Sequence, residues 1–332
     1  MNLTNLNFQN IPWSDITSFG QNTMLDNPLF SVSWILGRFC NYNCSYCWPY
    51  ARSDKVDHYD LELYKKTIDE IKRQARGNGF TDFHFSFSGG EPTAYKDFLN
   101  LIDYYSSDNE PKYQSFHMTS NCSPGLKWWK RLVSKLSLLD RASVTASFHS
   151  EFANEDEFSE KLLFLIENNI YVTINQVMVP ERFNEYYDRC SRFYNQGIPV
   201  TLKPQSNTTA SEIIGGYTKE MIDIMQTGFP QHINNDAVYQ IKLHDSKHNT
   251  YDFDQAERFN AFGFNKFKGW KCNSGYQSVI IRGNEIKRSY SCQDISLGLI
   301  TTGFKLFNES KICITNRCIS SADSKIPKFK II

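Results

Sequence analysis

The sequence lacks an excess of either charge. It contains 36 Lys and Arg residues and 36 Asp and Glu residues, so its formal net charge at pH 7 is +0. Nucleic-acid-binding domains usually carry a broad positive field, and we therefore expect no nucleic-acid partner. With 332 residues, of which 40% are hydrophobic and 22% charged, the chain can bury one large core or two unequal ones.

An export signal and a membrane anchor are also missing from the start of the sequence. The segment MNLTNLNFQNIPWSD is polar and has no basic region followed by an apolar run. We therefore expect a soluble, cytoplasmic protein with no membrane partner. In a reducing compartment, the nine cysteines are expected to be metal ligands or core residues and not disulfides.

Six apolar, β-branched runs alternate with segments of helical period, which predicts an α/β fold with a parallel sheet. Six such strands form a partial (β/α)6 barrel of the TIM type, whose loops after the strands line a shared site. The predicted strands are 31–38, 81–88, 113–120, 142–149, 171–179 and 199–204, and the predicted helices between them are 60–76, 95–106, 127–138, 155–168 and 181–195. A further helix is predicted at 218–227, and a β-hairpin is predicted to turn at Gly283-Asn284.

Three cysteines, Cys40, Cys44 and Cys47, form a CxxxCxxC loop directly after the first predicted strand. Thiolates at this spacing can bind three irons of a [4Fe-4S] cluster and leave the fourth iron open to another ligand. A structural zinc site would need a fourth ligand, and His58 is eleven residues beyond Cys47. The segment FCNYNCSYCW resembles the cluster loop of radical S-adenosylmethionine (SAM) enzymes, in which an aromatic residue, here Tyr46, precedes the third cysteine.

This resemblance implies the cofactors and the chemistry. SAM would chelate the open iron, and an electron from the cluster would cleave it to a 5′-deoxyadenosyl radical that removes a hydrogen atom from the substrate. A reducing partner such as flavodoxin or ferredoxin would supply the electron. The protein would position the substrate and exclude water.

Polar residues at the ends of the next strands are candidate cofactor contacts. The GGEP segment after the second strand could be an ordinary turn, but at this position it resembles the family motif that binds the SAM amino group. The resemblance also makes small polar residues at the next two strand ends candidate SAM contacts. Gln176 interrupts an apolar strand, and a buried polar group there needs a partner, either the cofactor or another protein group. The proposed cofactor-binding residues are Tyr46, Ser88, Gly89, Gly90, Glu91, Thr119, Asn121, Ser147 and Gln176.

Four more cysteines lie near the C-terminus: Cys272, Cys292, Cys313 and Cys318. Four thiolates can complete one iron-sulfur cluster, or they can bind zinc. Their arrangement resembles the twitch domain, a shortened SPASM domain, which implies a second, auxiliary [4Fe-4S] cluster. The glycine-to-cysteine spacing is longer here than in that family. We divide the chain into an N-terminal extension (1–29), a radical SAM partial barrel (30–230), a connecting segment (231–264) and a twitch-like domain with its hairpin (265–332).

Two residues are candidates for catalysis. Cys122 follows the third strand and could donate a hydrogen atom to a substrate radical, as the thiol of resembling epimerases does; the alternative is a buried structural cysteine. His149 follows the fourth strand and could act as an acid, a base or a substrate contact, or it could be structural.

The substrate and the reaction are left open by the sequence. Oxidation, epimerisation and bond formation are all compatible with the motifs. Only about 30 residues precede the first predicted strand, which is short for an added peptide-recognition domain. We therefore expect a sugar or another small molecule as substrate. A peptide-maturing enzyme and a non-catalytic iron-sulfur or zinc protein are the alternatives.

Overall fold

The computed structural model describes residues 12–21, 28–48, 51–208, 212–229, 241–253, 263–292 and 295–331. The strands are β1 (Ile16–Gln21), β2 (Leu29–Ile35), β3 (Asp82–Ser88), β4 (Gln114–Ser120), β5 (Arg141–Ser147), β6 (Tyr171–Met178), β7 (Val200–Pro204), β8 (Ile241–Asp245), β9 (Thr250–Phe253), β10 (Lys271–Cys272), β11 (Ser278–Arg282), β12 (Glu285–Lys287), β13 (Ser296–Leu299), β14 (Gly303–Phe304), β15 (Lys311–Ile312) and β16 (Lys328–Phe329). The α-helices are α1 (Leu61–Gly77), α2 (Phe98–Ser106), α3 (Leu126–Leu136), α4 (Glu155–Glu167), α5 (Phe183–Asn195), α6 (Lys219–Thr227) and α7 (Ser321–Ser324). Within the described ranges, no helix is long and apolar enough to cross a bilayer.

The larger sheet contains the six predicted strands. Strands β2 to β7 lie side by side in chain order, and each is parallel to the next. The helices α1 to α5 connect them, and α6 follows the last, so the structure confirms the α/β fold and its six β/α units. The predicted hairpin is also present, as β11 and β12. It is not a separate unit, because β11 pairs in parallel with β2 and extends the barrel sheet.

The two sides of β2 to β7 differ in polarity because successive side chains of a strand point to opposite faces. One side packs apolar residues against the helices. In β3 these are Phe83, Phe85 and Phe87, which share one core with Tyr64 and Ile68 of α1. The burial of this face fixes the position of every strand and therefore of every loop that follows a strand.

The opposite side, which we call the inner face, is mostly polar and half-buried, with apolar Ile35 and Val177 toward the C-terminal strand ends. Paired positions on neighbouring strands show that its residues form a continuous surface, for example Ser147, Asn175 and Thr201. The inner face includes Ser31, Ser33, His84, Ser86, Ser88, His117, Thr119, Ser143, Thr145, Ser147, Thr173, Asn175 and Thr201.

A second, antiparallel sheet joins segments that are distant in the sequence. Its strand order in the described residues is β15, β10, β16, β1, β8, β9. Strand β1 comes from the predicted N-terminal extension, while β8 and β9 come from the predicted connecting segment and β16 lies at the C-terminus. Buried Ile16, Phe19, Leu243 and Phe267 pack there with three of the C-terminal cysteines.

The aromatic core of the barrel supports a first prediction. Phe87 is fully buried, and its ring contacts those of Trp34, Phe98 and Phe116. We expect Phe87→Ala to lower the free energy of unfolding by about 3–5 kcal/mol, because the lost contacts leave a cavity. Urea denaturation measures this change. The control is Leu138→Ala at a largely exposed position, and an equal effect of both variants would contradict the prediction.

Candidate active site

The loop with Cys40, Cys44 and Cys47 leaves the C-terminal end of β2. The Cys40 amide donates to the Ser53 carbonyl at 3.3 Å, and the Cys47 amide donates to the Cys44 carbonyl at 3.1 Å. Burial raises the pKa of the Cys44 thiol to about 12, and the Glu151 carboxylate acts in the same direction. Without metal the thiol is therefore protonated at neutral pH, and iron must displace the proton. Three thiols on one short loop suit an iron-sulfur cluster.

The GGEP turn pairs with the backbone that leads into this loop. The Gly90 amide donates to the Gly37 carbonyl and the Glu91 amide donates to the Phe39 carbonyl, both at 2.9 Å. A Cβ atom at Gly90 would stand 2.1 Å from the Phe39 carbonyl oxygen. Gly89 has a φ of +133°, and a Cβ there would stand 2.3 Å from the Gly37 oxygen. The two glycines thus permit close approach to the cysteine loop itself.

The Glu91 side chain connects the ends of β3 and β4. It accepts hydrogen bonds from the Thr93 amide at 3.0 Å, the Ser120 hydroxyl at 2.8 Å and the Asn121 amide at 2.6 Å. Burial raises the pKa of its carboxyl, and these bonds oppose the shift. Asn121 in turn donates to the Asn41 side chain at 3.0 Å. The predicted cofactor residues Glu91 and Asn121 therefore also position the cysteine loop.

The loop after β5 holds the other side of the cysteine loop. The Tyr46 hydroxyl lies 2.7 Å from Nδ1 of His149. The Glu151 carboxylate accepts from the Ser45 amide at 3.1 Å and from its hydroxyl at 2.8 Å. Burial lowers the pKa of His149 to about 4, so its ring is neutral at neutral pH. His149 thus orients Tyr46, while Ser45 and Glu151 are site residues that the sequence analysis missed.

The remaining predicted residues fall into two groups. Ser88, Thr119 and Ser147 lie on the inner face at the strand ends. Gln176 lies instead on the helix-facing side of β6, where its amide donates to the Val177 carbonyl at 2.8 Å. The neighbouring Asn175 occupies the inner face, because a shift of one residue in a strand reverses the side.

Cys122 is placed in the apolar core and not on the inner face. Its side chain is 1% exposed, and its thiol donates to the Ser120 carbonyl at 3.8 Å. Burial raises the pKa of this thiol well above its usual range. A hydrogen-atom donor must reach the substrate, so Cys122 is not part of the function proposed below.

The four C-terminal cysteines are all buried, and Cys272 and Cys313 lie near enough to Cys292 and Cys318 to affect their thiols. After burial, which is the largest effect, Cys272 and Cys313 both raise the pKa of the thiols of Cys292 and Cys318. Strands β10 and β15 pair directly, which places Cys272 beside the strand that leads to Cys313. In the described ranges, no three His, Cys, Asp or Glu side chains are placed around a single metal-ion position.

Two buried cations lie beside these cysteines. Arg288 is 2% exposed and donates to backbone carbonyls, including that of Lys311 at 3.1 Å. Lys328 is fully buried, and its Nζ donates to the carbonyls of Asp323 and Ile326 at 2.8 Å. The positive charges of Arg288 and Lys328 favour the thiolates of Cys292 and Cys318 respectively. This environment suits an anionic group held by thiolates.

A comparison with protein families identifies the barrel. The model described as the Radical SAM superfamily matches residues 34–227, which is more than half of the chain and includes the first cysteine loop and GGEP. The chain belongs to the radical SAM superfamily. It is thus a radical SAM enzyme, and the family's cofactors, a [4Fe-4S] cluster and SAM, match the thiol set and strand ends described above. No match was found among curated protein sequences.

Solved radical SAM structures share the fold. The anSMEcpe structure with bound AdoMet and the Kp18Cys peptide is 14% identical, with 83% of this chain and 79% of that chain covered and a TM-score of 0.51. SuiB from Streptococcus suis bound to S-adenosylmethionine is 18% identical, with 80% of this chain and 61% of that chain covered and a TM-score of 0.50. At these identities the likeness shows the fold alone.

The tight pairing at Gly90 supports a second prediction. Gly90→Ala must displace the backbone before Cys40, so we expect anaerobic reconstitution to yield about four fewer irons per chain. Iron analysis and visible absorbance measure the loss. Gly77→Ala is the matched control, because a Cβ there meets nothing within 4 Å. Equal iron contents for the two variants would show that the pairing does not position the loop.

Two inner-face histidines, which the sequence analysis missed, support a third prediction. Burial and the charge of Lys325 lower the pKa of His84 to about 4, and burial, His84 and Lys325 lower that of His117 to about 3. Both values lie below the unfolded pKa of about 6.5, so the unfolded chain binds protons first as the pH falls.

We therefore expect the free energy of unfolding to be highest above about pH 6.5 and to decrease toward pH 4, with the His117 contribution about 1 kcal/mol or more. Urea titrations at several pH values measure this. His117→Asn should flatten the decrease, whereas exposed His244→Asn should not. A slope that is the same in both variants and in the unaltered protein would contradict the assignment.

Proposed function

We propose that this radical SAM enzyme oxidises a hydroxyl-bearing small molecule, such as a sugar, held against the inner face. The observation that carries the proposal is the composition of that face. Ligand sites are usually apolar with a few polar groups, whereas here serine and threonine side chains recur on all six parallel strands. In the described strands its acidic residue is Asp82, which lies at the end away from the cysteine loop. Such a surface can satisfy the hydroxyls of a polar substrate.

The cofactors would be held at the C-terminal strand ends. Cys40, Cys44 and Cys47 would bind three irons, and the backbone at Gly89 and Gly90 would face SAM. When bound, the cluster and SAM supply the 5′-deoxyadenosyl radical that removes a hydrogen atom from the substrate. The Tyr46–His149 contact of 2.7 Å fixes the aromatic ring beside the third cysteine. The protein's contribution is therefore positioning.

Neutral imidazoles support the orientation of a hydroxylated substrate. Nδ1 of His84 lies 2.9 Å from the Ser115 hydroxyl, and Nδ1 of His117 lies 2.8 Å from the Ser143 hydroxyl. Their lowered pKa values keep both rings uncharged at neutral pH. Nε2 of His117 also lies 3.3 Å from the Thr145 hydroxyl, so His117 would position two inner-face hydroxyls, while the second nitrogen of His84 would bond to the substrate.

The surroundings of Cys122 and those of the four C-terminal cysteines favour oxidation over epimerisation. The Cys122 thiol is buried in the core, whereas the four C-terminal thiols lie together beside Arg288 and Lys328. We propose that these four hold a second [4Fe-4S] cluster in a twitch-like domain. The substrate radical would lose one electron to that cluster and its hydroxyl proton to a neighbouring base or water, which leaves a carbonyl group. Zinc at the same site could not accept the electron.

The cofactor assignment is tested by iron content and SAM cleavage. We expect anaerobically reconstituted protein to bind about eight irons per chain and to form 5′-deoxyadenosine from SAM with dithionite. Replacing Cys40, Cys44 and Cys47 by alanine should leave about four irons and abolish 5′-deoxyadenosine. Cys190→Ala, at a core cysteine of α5, is the matched control and should keep both properties.

The iron content and the 5′-deoxyadenosine yield test the second cluster and the radical chemistry separately. About four irons plus one zinc would remove the second cluster and leave the radical chemistry standing. Iron without 5′-deoxyadenosine would favour a non-catalytic iron-sulfur protein. No iron at all would contradict the cofactor assignment.

A peptide substrate is the second candidate. The similarly folded anSMEcpe was solved with a bound peptide, and a peptide could also lie on the inner face. Substrate-dependent 5′-deoxyadenosine formation distinguishes the two candidates. Stimulation by sugars or sugar phosphates supports the first, and stimulation only by peptides supports the second.

A further inference from the structure

The second sheet has one buried face and one solvent-facing face. Paired positions place Cys272, Lys328 and Phe19 in one row, and all three are buried. The adjacent row, on the opposite side, contains Lys271 and Phe329, which are exposed. The auxiliary cysteine site therefore lies directly beneath a sheet face that is open to solvent.

Exposed apolar side chains cluster around this face. Ile312 on β15 and Phe329 on β16 both pair with Lys271 of the strand between them, and so they share its side of the sheet. We define the C-terminal patch as Ile312, Ile314, Ile319, Phe329 and Ile331, which are 41–63% exposed. Exposed apolar groups that lie together mark interaction sites, and Ile312 and Phe329 flank Lys271 on the same side of the sheet.

The patch adjoins the auxiliary cysteines in the chain itself. Cys313 stands between Ile312 and Ile314, and Cys318 directly precedes Ile319. The thiols point inward while their neighbours point outward, as alternation along an extended chain requires. A molecule seated on the patch would be separated from the thiols of Cys272 and Cys313 by the backbone of the sheet.

The charge around the patch is strongly positive. Residues 265–332 contain twelve Lys and Arg residues and four Asp and Glu residues, although the whole chain has equal numbers of both. Several of these cations are exposed near the patch, namely Lys266, Lys268, Lys271, Arg317 and Lys330. Complementary charge steers an acidic partner to such a surface and repels a second copy of the same surface.

We propose that the C-terminal patch is the docking surface for a small acidic one-electron carrier, an iron-sulfur or flavin protein, that exchanges electrons with the auxiliary site. This inference rests on the proposed second cluster. An apolar centre with a charged rim is typical of the small interfaces of transient redox partners. One electron leaves the reduced cluster, which becomes oxidised, and the oxidised carrier gains that electron, so the cluster can accept again from the substrate.

The test uses a protein in which only the auxiliary cysteines can hold iron, the variant with Cys40, Cys44 and Cys47 replaced by alanine. Its cluster is reduced and mixed with oxidised flavodoxin as the probe. Stopped-flow absorbance gives the rate of flavin reduction, and calorimetry gives the Kd. We expect Phe329→Asp with Ile331→Asp to lower the rate and weaken binding about tenfold, because the apolar contact is lost and like charge is added.

Matched controls isolate the patch. Leu138→Asp adds the same charge at an exposed apolar position on the barrel, and it should change neither rate nor affinity. Higher salt should weaken binding by the parent protein because the attraction is screened. If the double variant loses iron, Lys268→Glu with Arg317→Glu replaces it, since both side chains are exposed.

Each result decides the proposal. Equal rates and affinities for the patch and Leu138→Asp variants, with four irons retained, would overturn the docking surface and leave the second cluster standing. An iron-free parent would remove the second cluster and, with it, electron exchange at the patch. A dimer that dissociates when the patch is altered would assign this face to self-association instead.

Discussion

The backbone pairing of the GGEP turn with residues 37–39 is the contact on which the rest of the site depends. Two hydrogen bonds join the turn after β3 to the segment that enters the cysteine loop. The contact is possible only without side chains at Gly89 and Gly90. Cys40 therefore receives its position from the neighbouring β/α unit, and the sheet fixes that unit. Glu91 and Asn121 extend the same restraint to β4.

This arrangement gives the GGEP turn a structural role beside the cofactor contact that the sequence predicts. GGEP was interpreted as a ligand contact, and in the structure it first braces the cluster loop. The loop after β5 supplies the opposing restraint through His149 and Glu151. A loop held from both sides before iron arrives loses less conformational freedom when the cluster forms. Preorganisation of this kind is the role that the contacts of His149 with Tyr46 and of Glu151 with Ser45 serve.

Local periodicity predicted the barrel well, because the elements of a β/α unit are encoded within about 30 residues. All six strands and six helices begin and end within three residues of their predicted positions. The second sheet was not predicted, since β1 pairs with β8 and β16 across most of the chain and several of its strands have only two residues. The sequence also could not show on which side of its strand Gln176 lies. Asn175 and Gln176 are an isolated polar pair, and such a pair does not reveal which member points to the inner face.

The net charge of the whole chain also did not predict the local charge of its C-terminal region. The balance of the whole chain conceals a basic C-terminal region and an acidic remainder. A net charge of zero predicts weak long-range electrostatic steering only if charges of both signs are mixed over the surface. In this chain the positive charges are concentrated in the C-terminal region. The absence of a general positive field is thus compatible with a strongly positive surface beside the second cysteine set.

The C-terminal region also reaches the barrel interior. Lys325, just after α7, lies close enough to His84 and His117 for its charge to lower the pKa of both. Two residues earlier, Asp323 accepts a hydrogen bond at 2.6 Å from the amide of Ser291, the neighbour of Cys292. A short segment, residues 318–325, therefore links Cys318 to the Lys325 side chain near the inner-face histidines. The charge of this C-terminal segment therefore acts directly on the inner face, and an alteration near Cys318 can reach the two histidines through Lys325.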